Sequence, residues 1–269
     1  MPYVLHTPDT IFSARHTPSW LLLAGASGMV NGLAFLACEQ YVTHVTGTAT
    51  RLGLEWPHAG IALEYAVVVL SFIFGAMASV LALQARVTRG KPPRWATPLV
   101  IVALTLTGVA LTGLTGVFGP FGGAVTTEPP FVLLSLLAFA SGLQNAAVAT
   151  STGLAVRTTH LTGPATDLGI HLGVAYFTKG DDRRAALRGV LLRSGKVFAF
   201  VAGAGLALPL AGATGYLAFF VPAVGVLMAA GLSFIPAWGP SDFPDHEESV
   251  QADPPPAAEP VMAGAQAVR

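Results

Sequence analysis

The chain has 269 residues, 53% of them hydrophobic and only 10% charged, with a mean hydropathy of +0.63; a soluble domain is about a quarter charged, so this composition belongs in a membrane. Basic and acidic residues cancel to a formal net charge of zero, which leaves no electrostatic footprint for nucleic acid. The lone Cys38 excludes an intramolecular disulfide framework and a multi-cysteine metal site.

Residues 1–18 read as a short polar arm. Ala24-Gly25-Ala26 resembles a signal-peptide cleavage site, but only Trp20 to Leu23 would form its apolar core, against about 7–15 residues needed. The first span is therefore expected to be retained. Six stretches, near 20–38, 59–83, 97–118, 131–150, 190–211 and 214–235, approach the about 20 apolar residues that cross a hydrocarbon core. Arg193 and Lys196 interrupt the start of the fifth and are expected to snorkel toward the interface.

Arg86, Arg89, Lys91 and Arg94 lie between spans two and three, and Arg157, Lys179, Arg183, Arg184 and Arg188 between spans four and five. Six spans place both loops on one side together with Arg15, Arg193, Lys196 and Arg269. Arg51 alone is opposite, and the loops after spans three and five, the first including Thr127, hold no Lys or Arg. Cytoplasmic flanks collect basic residues, so both termini are expected inside the cell. From Gly239 the composition turns to Pro, Ala, Asp and Glu, too polar to bury itself; residues 237–269 are expected to form a disordered cytoplasmic tail.

The chain also repeats itself. Residues 43–53 read THVTGTATRLG and residues 159–169 read THLTGPATDLG, and each copy follows a span carrying Ser-Gly-x-x-Asn, at Ser27 to Asn31 and at Ser141 to Asn145. In a weaker echo, Phe72, Phe74, Ala76 and Ala78 keep the spacing of Phe198, Phe200, Ala202 and Ala204. Each half holds three spans, an odd number, so the second copy enters the membrane inverted. The expected fold is an all-α integral membrane bundle: a membrane domain at 19–236 of two inverted three-span repeats, about 19–120 and about 130–236, with short broken or re-entrant half-helices at the motifs. Pro164 suits the first helical position, and Thr46 or Thr162 could cap.

Hydroxyls, an imidazole and a helix N-terminus together can solvate an anion or a polar solute. Packing of small residues is the alternative, although it does not require His44 and His160. Arg51 and Asp167 hold the same position in the two copies with opposite charge, and read either as a central ion pair or gate, or as two separate interface anchors. Asn31, Gln144 and Asn145 stand in apolar spans, where an amide either bonds a neighbouring helix or lines a pore. The candidate binding residues are thus Asn31, His44, Thr46, Gly47, Thr48, Thr50 and Arg51 in the first half, and Gln144, Asn145, His160, Thr162, Gly163, Thr166 and Asp167 in the second. His44 and His160 start on opposite faces, so no metal site is expected. Gly25-Ala26-Ser27-Gly28 has the form around a rhomboid-protease nucleophile, yet residues 214–235 hold no histidine to serve as base, and no catalytic residue is expected.

The segments SGMVNGLAFLACEQYVTHVTGTATRLG and SGLQNAAVATSTGLAVRTTHLTGPATDLG resemble the two signature regions of the YoaK-like family, six-span bacterial membrane proteins defined as a domain of unknown function. The resemblance covers most of residues 18–236 and implies a bacterial inner-membrane protein without a known substrate. That family commonly has an acid at the position of Asn31, and often Asn after Thr-Gly, where this chain has Thr48 and Pro164.

The expected function is a transporter- or channel-like protein for a small polar solute or ion, because inverted repeats with broken helices place a site at the midplane. A membrane scaffold or regulatory protein is the alternative, with a membrane enzyme behind it. Its expected partners are the lipid bilayer and that solute, without nucleic acid or cofactor; self-association into a homo-oligomer stays open.

Overall fold

The computed structural model describes residues 4–123, 130–159 and 161–235; His160, Thr127 and the expected tail at 237–269 lie outside them. The described chain is helical. A single turn, α1 (Pro8–Ile11), is followed by α2 (Thr17–Cys38), α3 (Val45–Leu54), α4 (Ala59–Val87), α5 (Thr97–Gly113), α6 (Phe131–Ser151), α7 (Thr162–Phe177), α8 (Gly180–Thr214) and α9 (Phe220–Ser233), and a 3₁₀ turn at Gly215–Phe219 joins the last two. Pro18 and Pro98 stand in the first turns of α2 and α5, where a missing N–H costs no helical bond. Asp181 and Asp182 open α8, complementing the N-terminal dipole, so this helix starts ten residues before the predicted fifth span.

Thr17–Cys38, Ala59–Val87, Phe131–Ser151 and Gly180–Ser233 are long and apolar enough to cross a membrane. Helix α5, with 17 residues, is shorter. The predicted third span ran on to 118, but Gly116 and Gly119 adopt positive φ and take the chain out of helix first. In the last stretch the chain reverses at Gly215, whose φ of 55° is open to glycine.

Contacts fix the helix directions. Helices α2 and α8 run the same way, since Leu21 meets Gly195, and Gly32 meets Ala204 and Ala207. Helix α9 runs against them, with Gly225 beside Ala26 and Ser233 bonded to Ser19. Helices α4 and α6 are parallel, pairing Tyr65 with Phe131 and Gly75 with Phe139. Helix α6 ends where α2 begins, because Ser151 accepts from the backbone of Leu5 and His6, and the His6 ring stands edge-on to Trp20. The basic segments 86–94 and 179–193 therefore belong to the end of the bundle where α2 starts.

Two crossings bring backbones together without side chains between them. A Cβ on Gly28 would overlap the Phe200 carbonyl and one on Gly203 the Gly25 carbonyl; in the other pair, a Cβ on Gly142 would overlap the Phe72 carbonyl and one on Gly75 the Phe139 carbonyl. Small residues permit such approach in membranes. Helix α2 packs on α8 and α9, α6 on α4 and α5, α3 on α4, and α7 on α8. Exchanging α2–α5 with α6–α9 leaves these named pairs unchanged. It also corrects the sequence echo by two residues: Phe72 and Gly75 correspond to Phe200 and Gly203. The echo was misled by Phe74 and Phe198, which are 52% and 75% exposed and take no part in the crossings.

Trp20, Leu23, Leu33, Leu99, Leu106, Leu133 and Leu137 fill the core, while Leu63, Leu104, Val132 and Leu208 project outward. Such apolar exposure along whole helices is unusual for a soluble monomer and suits a surface bathed in lipid.

Candidate functional site

The two motif copies have different surroundings. In the first, Asn31 Oδ1 accepts from the backbone N–H groups of Val42 and Thr43, each at 3.1 Å, and so ties the connection after α2 back to that helix. His44 stands before α3 without a side-chain cap. Its ring lies over Gly47, where a Cβ would come within 2.7 Å of Nδ1. Thr48 and Thr50 donate to the carbonyls of His44 and Thr46, Thr46 is exposed, and no residue of α3 is buried. Arg51 is exposed in the last turn, where a cation suits the helix dipole.

In the second copy, Gln144 is buried and its Nε2 lies 2.9 Å from Ser27 Oγ, 3.1 Å from the Leu23 carbonyl and 3.2 Å from Thr158 Oγ1. This is the interhelical use of a membrane amide. Asn145 Oδ1 and Thr159 Oγ1 are buried and find no hydrogen-bond partner among the described residues. Helix α7 begins at Thr162 without a side-chain cap; Pro164 is its third residue, and Thr166 donates to the Thr162 carbonyl. Neither Thr46 nor Thr162 is a cap, because each helix starts before its threonine can reach the free N–H groups.

The central ion pair between Arg51 and Asp167 does not form. Asp167 Oδ2 accepts from Arg193 Nε at 3.2 Å, and His171, one turn on, faces Gly189, so α7 runs back along the first half of α8. The half-helices do not converge: α3 follows the end of α2, α7 follows the end of α6, and those ends are at opposite ends of the bundle.

At the base of the α7–α8 pair is a cavity of about 320 Å³, at the lower end of the about 300–1,000 Å³ usual for small-molecule sites. Arg157, Asp167, Arg193 and Lys196 supply its charges, and Gly163 and Pro164 bring the start of α7 to its wall. Lys196 does not snorkel. It is 5% exposed, and its Nζ donates to the Arg157 carbonyl. Arg193 also reaches the Gly189 carbonyl through Nη1. Among the described residues the cavity wall carries three cationic residues and one carboxylate, and Lys196 is the one of them shielded from solvent.

The N-terminal arm closes one side through Ile11 and Phe12, and it is packed rather than loose. Trp20 Nε1 donates to the Ile11 carbonyl at 3.0 Å, and His16 Nδ1 lies 2.8 Å from Ser233 Oγ. The His6 ring stands edge-on to His16 and Trp20, with centroids 4.5 and 5.0 Å away. Burial, and then the neighbouring His16, push the His6 pKa down to about 4, partly offset by the Ser233 backbone. His16 is lowered too, by burial and by Arg15.

Among the described residues, the sequence-predicted ones that line this cavity are Gly163 and Asp167. Arg157, Arg193, Lys196, Ile11 and Phe12 complete it. The available signal was the pair of charges interrupting the fifth apolar stretch. Among the described residues no three His, Cys, Asp or Glu side chains gather as a metal site would require.

No curated protein and no solved structure matches the chain. Residues 19–232 match the family described as "Protein of unknown function (DUF1275)", and with that match spanning most of its length, the protein belongs to this family.

Proposed function

We propose that the protein is a multi-pass transporter- or channel-like protein of a bacterial inner membrane, with both termini cytoplasmic, that handles a small polar solute or ion and performs no enzymatic chemistry. Its six helical passes then form two inverted-topology repeats, with α5 and α9 as the shorter crossings. The observation that carries this reading is the charged cavity beside Asp167, Arg193 and Lys196. Ionisable groups near membrane depth are costly and mark solute or ion pathways, and a helix start at the cavity wall adds free N–H groups. The site belongs to the second motif copy and the cytoplasmic end. Alternating access would then need the α7–α8 pair or the arm to move.

A scaffold or regulatory role is favoured by one observation, the dry packing at Gly28 and Gly142, since the cavity touches only one of the motif copies.

Proteoliposome swelling separates the two. Vesicles containing the purified full chain, diluted into iso-osmotic potassium benzoate or potassium chloride with valinomycin to carry the cation, into sodium thiocyanate, whose anion crosses lipid, or into glycerol, should swell faster than protein-free vesicles with at least one solute. Swelling at the protein-free rate with all four, from correctly folded protein, would sink the transport reading.

A further inference from the structure

The cavity at the base of α7 and α8 combines two features that together select a class of ligand. Among the described residues its charges do not balance: Arg157, Arg193 and Lys196 line it with one carboxylate, Asp167, which is already bonded to Arg193. Lys196 is almost wholly shielded from solvent and has a backbone carbonyl as its hydrogen-bond acceptor; an ammonium has three N–H donors, so its capacity is not used up. Ile11, Phe12, Leu154, Val156 and Leu192 add apolar groups to the same lining. Lys196, held away from water without a carboxylate partner of its own, attracts an anion, the exposed Arg157 at the cavity wall adds positive charge, and the apolar wall gains by covering a hydrocarbon group.

We propose that this cavity binds a small organic anion, its carboxylate or phosphate held by Lys196 and Arg157 and its apolar body covered by Ile11 and Phe12. Asp167 acts here as a positioning residue, holding Arg193 along α8. A cation is disfavoured, because Asp167, the carboxylate among the described lining residues, is already engaged by Arg193. Assigning this ligand class rests on the transport reading and names the solute for it.

Binding can be measured apart from flux. The full chain in detergent carries Phe12→Trp as a reporter, and benzoate, phenyl phosphate, benzylammonium and short-chain phosphatidic acid are titrated separately. Saturable fluorescence change with benzoate or phenyl phosphate, and none with benzylammonium, is expected. Arg157→Gln and Lys196→Gln should each weaken binding at least tenfold, whereas Arg89→Gln, in the loop between α4 and α5, should leave it unchanged. If Lys196→Gln does not fold, Arg157→Gln with competition by unlabelled benzoate decides alone. No saturable response to either small anion, or a response indifferent to Arg157→Gln, overturns the proposal. Saturation by phosphatidic acid alone also overturns it and assigns a lipid headgroup instead. Anion binding without swelling would sustain the site and sink the transport reading; cation-selective swelling without anion binding would do the reverse.

Discussion

Gln144 Nε2 lies 2.9 Å from Ser27 Oγ, which joins the two Ser-Gly motifs of the duplicated chain in a single buried hydrogen bond. The same nitrogen is within reach of the Leu23 carbonyl and Thr158 Oγ1, so it ties α2, α6 and the connection before α7 together. Replacing Gln144 with Leu strands buried acceptors, and a stranded buried polar group costs about 1–3 kcal/mol. A clear fall in detergent melting temperature is expected, with Ser27→Ala falling less, since Gln144 keeps two other acceptors. Equal and negligible effects of both would show that the bond contributes nothing.

The glycine crossings should respond as a pair. Gly28→Ala and Gly142→Ala each drive a Cβ into a backbone carbonyl, which no side-chain rotation relieves, and overpacking of this kind costs about 1–3 kcal/mol or more. Gly108 has nothing within 4 Å of its Cβ position, so Gly108→Ala should be neutral or stabilise by up to about 1 kcal/mol through helix propensity. Thermal melts of the three variants test this pairing; a large loss at Gly28 with none at Gly142 would contradict it.

For the ion pair, a double-mutant cycle should find coupling between Asp167 and Arg193 and none between Asp167 and Arg51. The Asp167 side chain is 48% exposed and that of Arg193 16%, so solvent screens the pair and the coupling is expected at about 0–1 kcal/mol. Coupling to Arg51 larger than that to Arg193 would restore the central pair.

Asn31 serves as an acceptor for two backbone N–H groups. A carboxylate can do the same, so Asn31→Asp should keep most of the stability while Asn31→Leu loses about 1–3 kcal/mol by leaving those donors unpaired. Chemical denaturation of both in one detergent provides the comparison. An Asp variant as damaged as the Leu variant would mean the amide nitrogen matters as well.

The arm should loosen in acid. His6 titrates near 6.5 when free and near 4 when docked, so between these values the undocked arm binds more protons. Docking is therefore complete above about pH 6.5 and weakens as pH falls toward about 4. In a Cys38→Ser background, the labelling rate of Ile11→Cys, at a position 2% exposed in the docked arm, divided by that of a free thiol at the same pH, should rise from pH 7.5 to pH 5, and His6→Phe should abolish most of that rise. A pH-independent ratio would remove the His6 latch.

The membrane class, the position of the main helices, the clustering of basic residues and the duplication were legible in the sequence, because composition, apolar run length and repeated spacing are properties of the chain taken one segment at a time. Even the close crossings were foreshadowed by Ser27-Gly28 and Ser141-Gly142. Which residues meet was decided by the tertiary structure. Arg51 and Asp167 match perfectly along the chain, yet the antiparallel setting of α2 and α6 sends them to opposite ends of the bundle, while Arg193, 26 residues from Asp167, comes beside it when α7 folds back on α8. Lys196 looked like a snorkelling interface residue until the fold placed the Arg157 carbonyl over it. A cavity depends on the relative placement of four segments, the arm, the connection after α6, the start of α7 and the middle of α8, and the local pattern of any one of them carries no record of the other three.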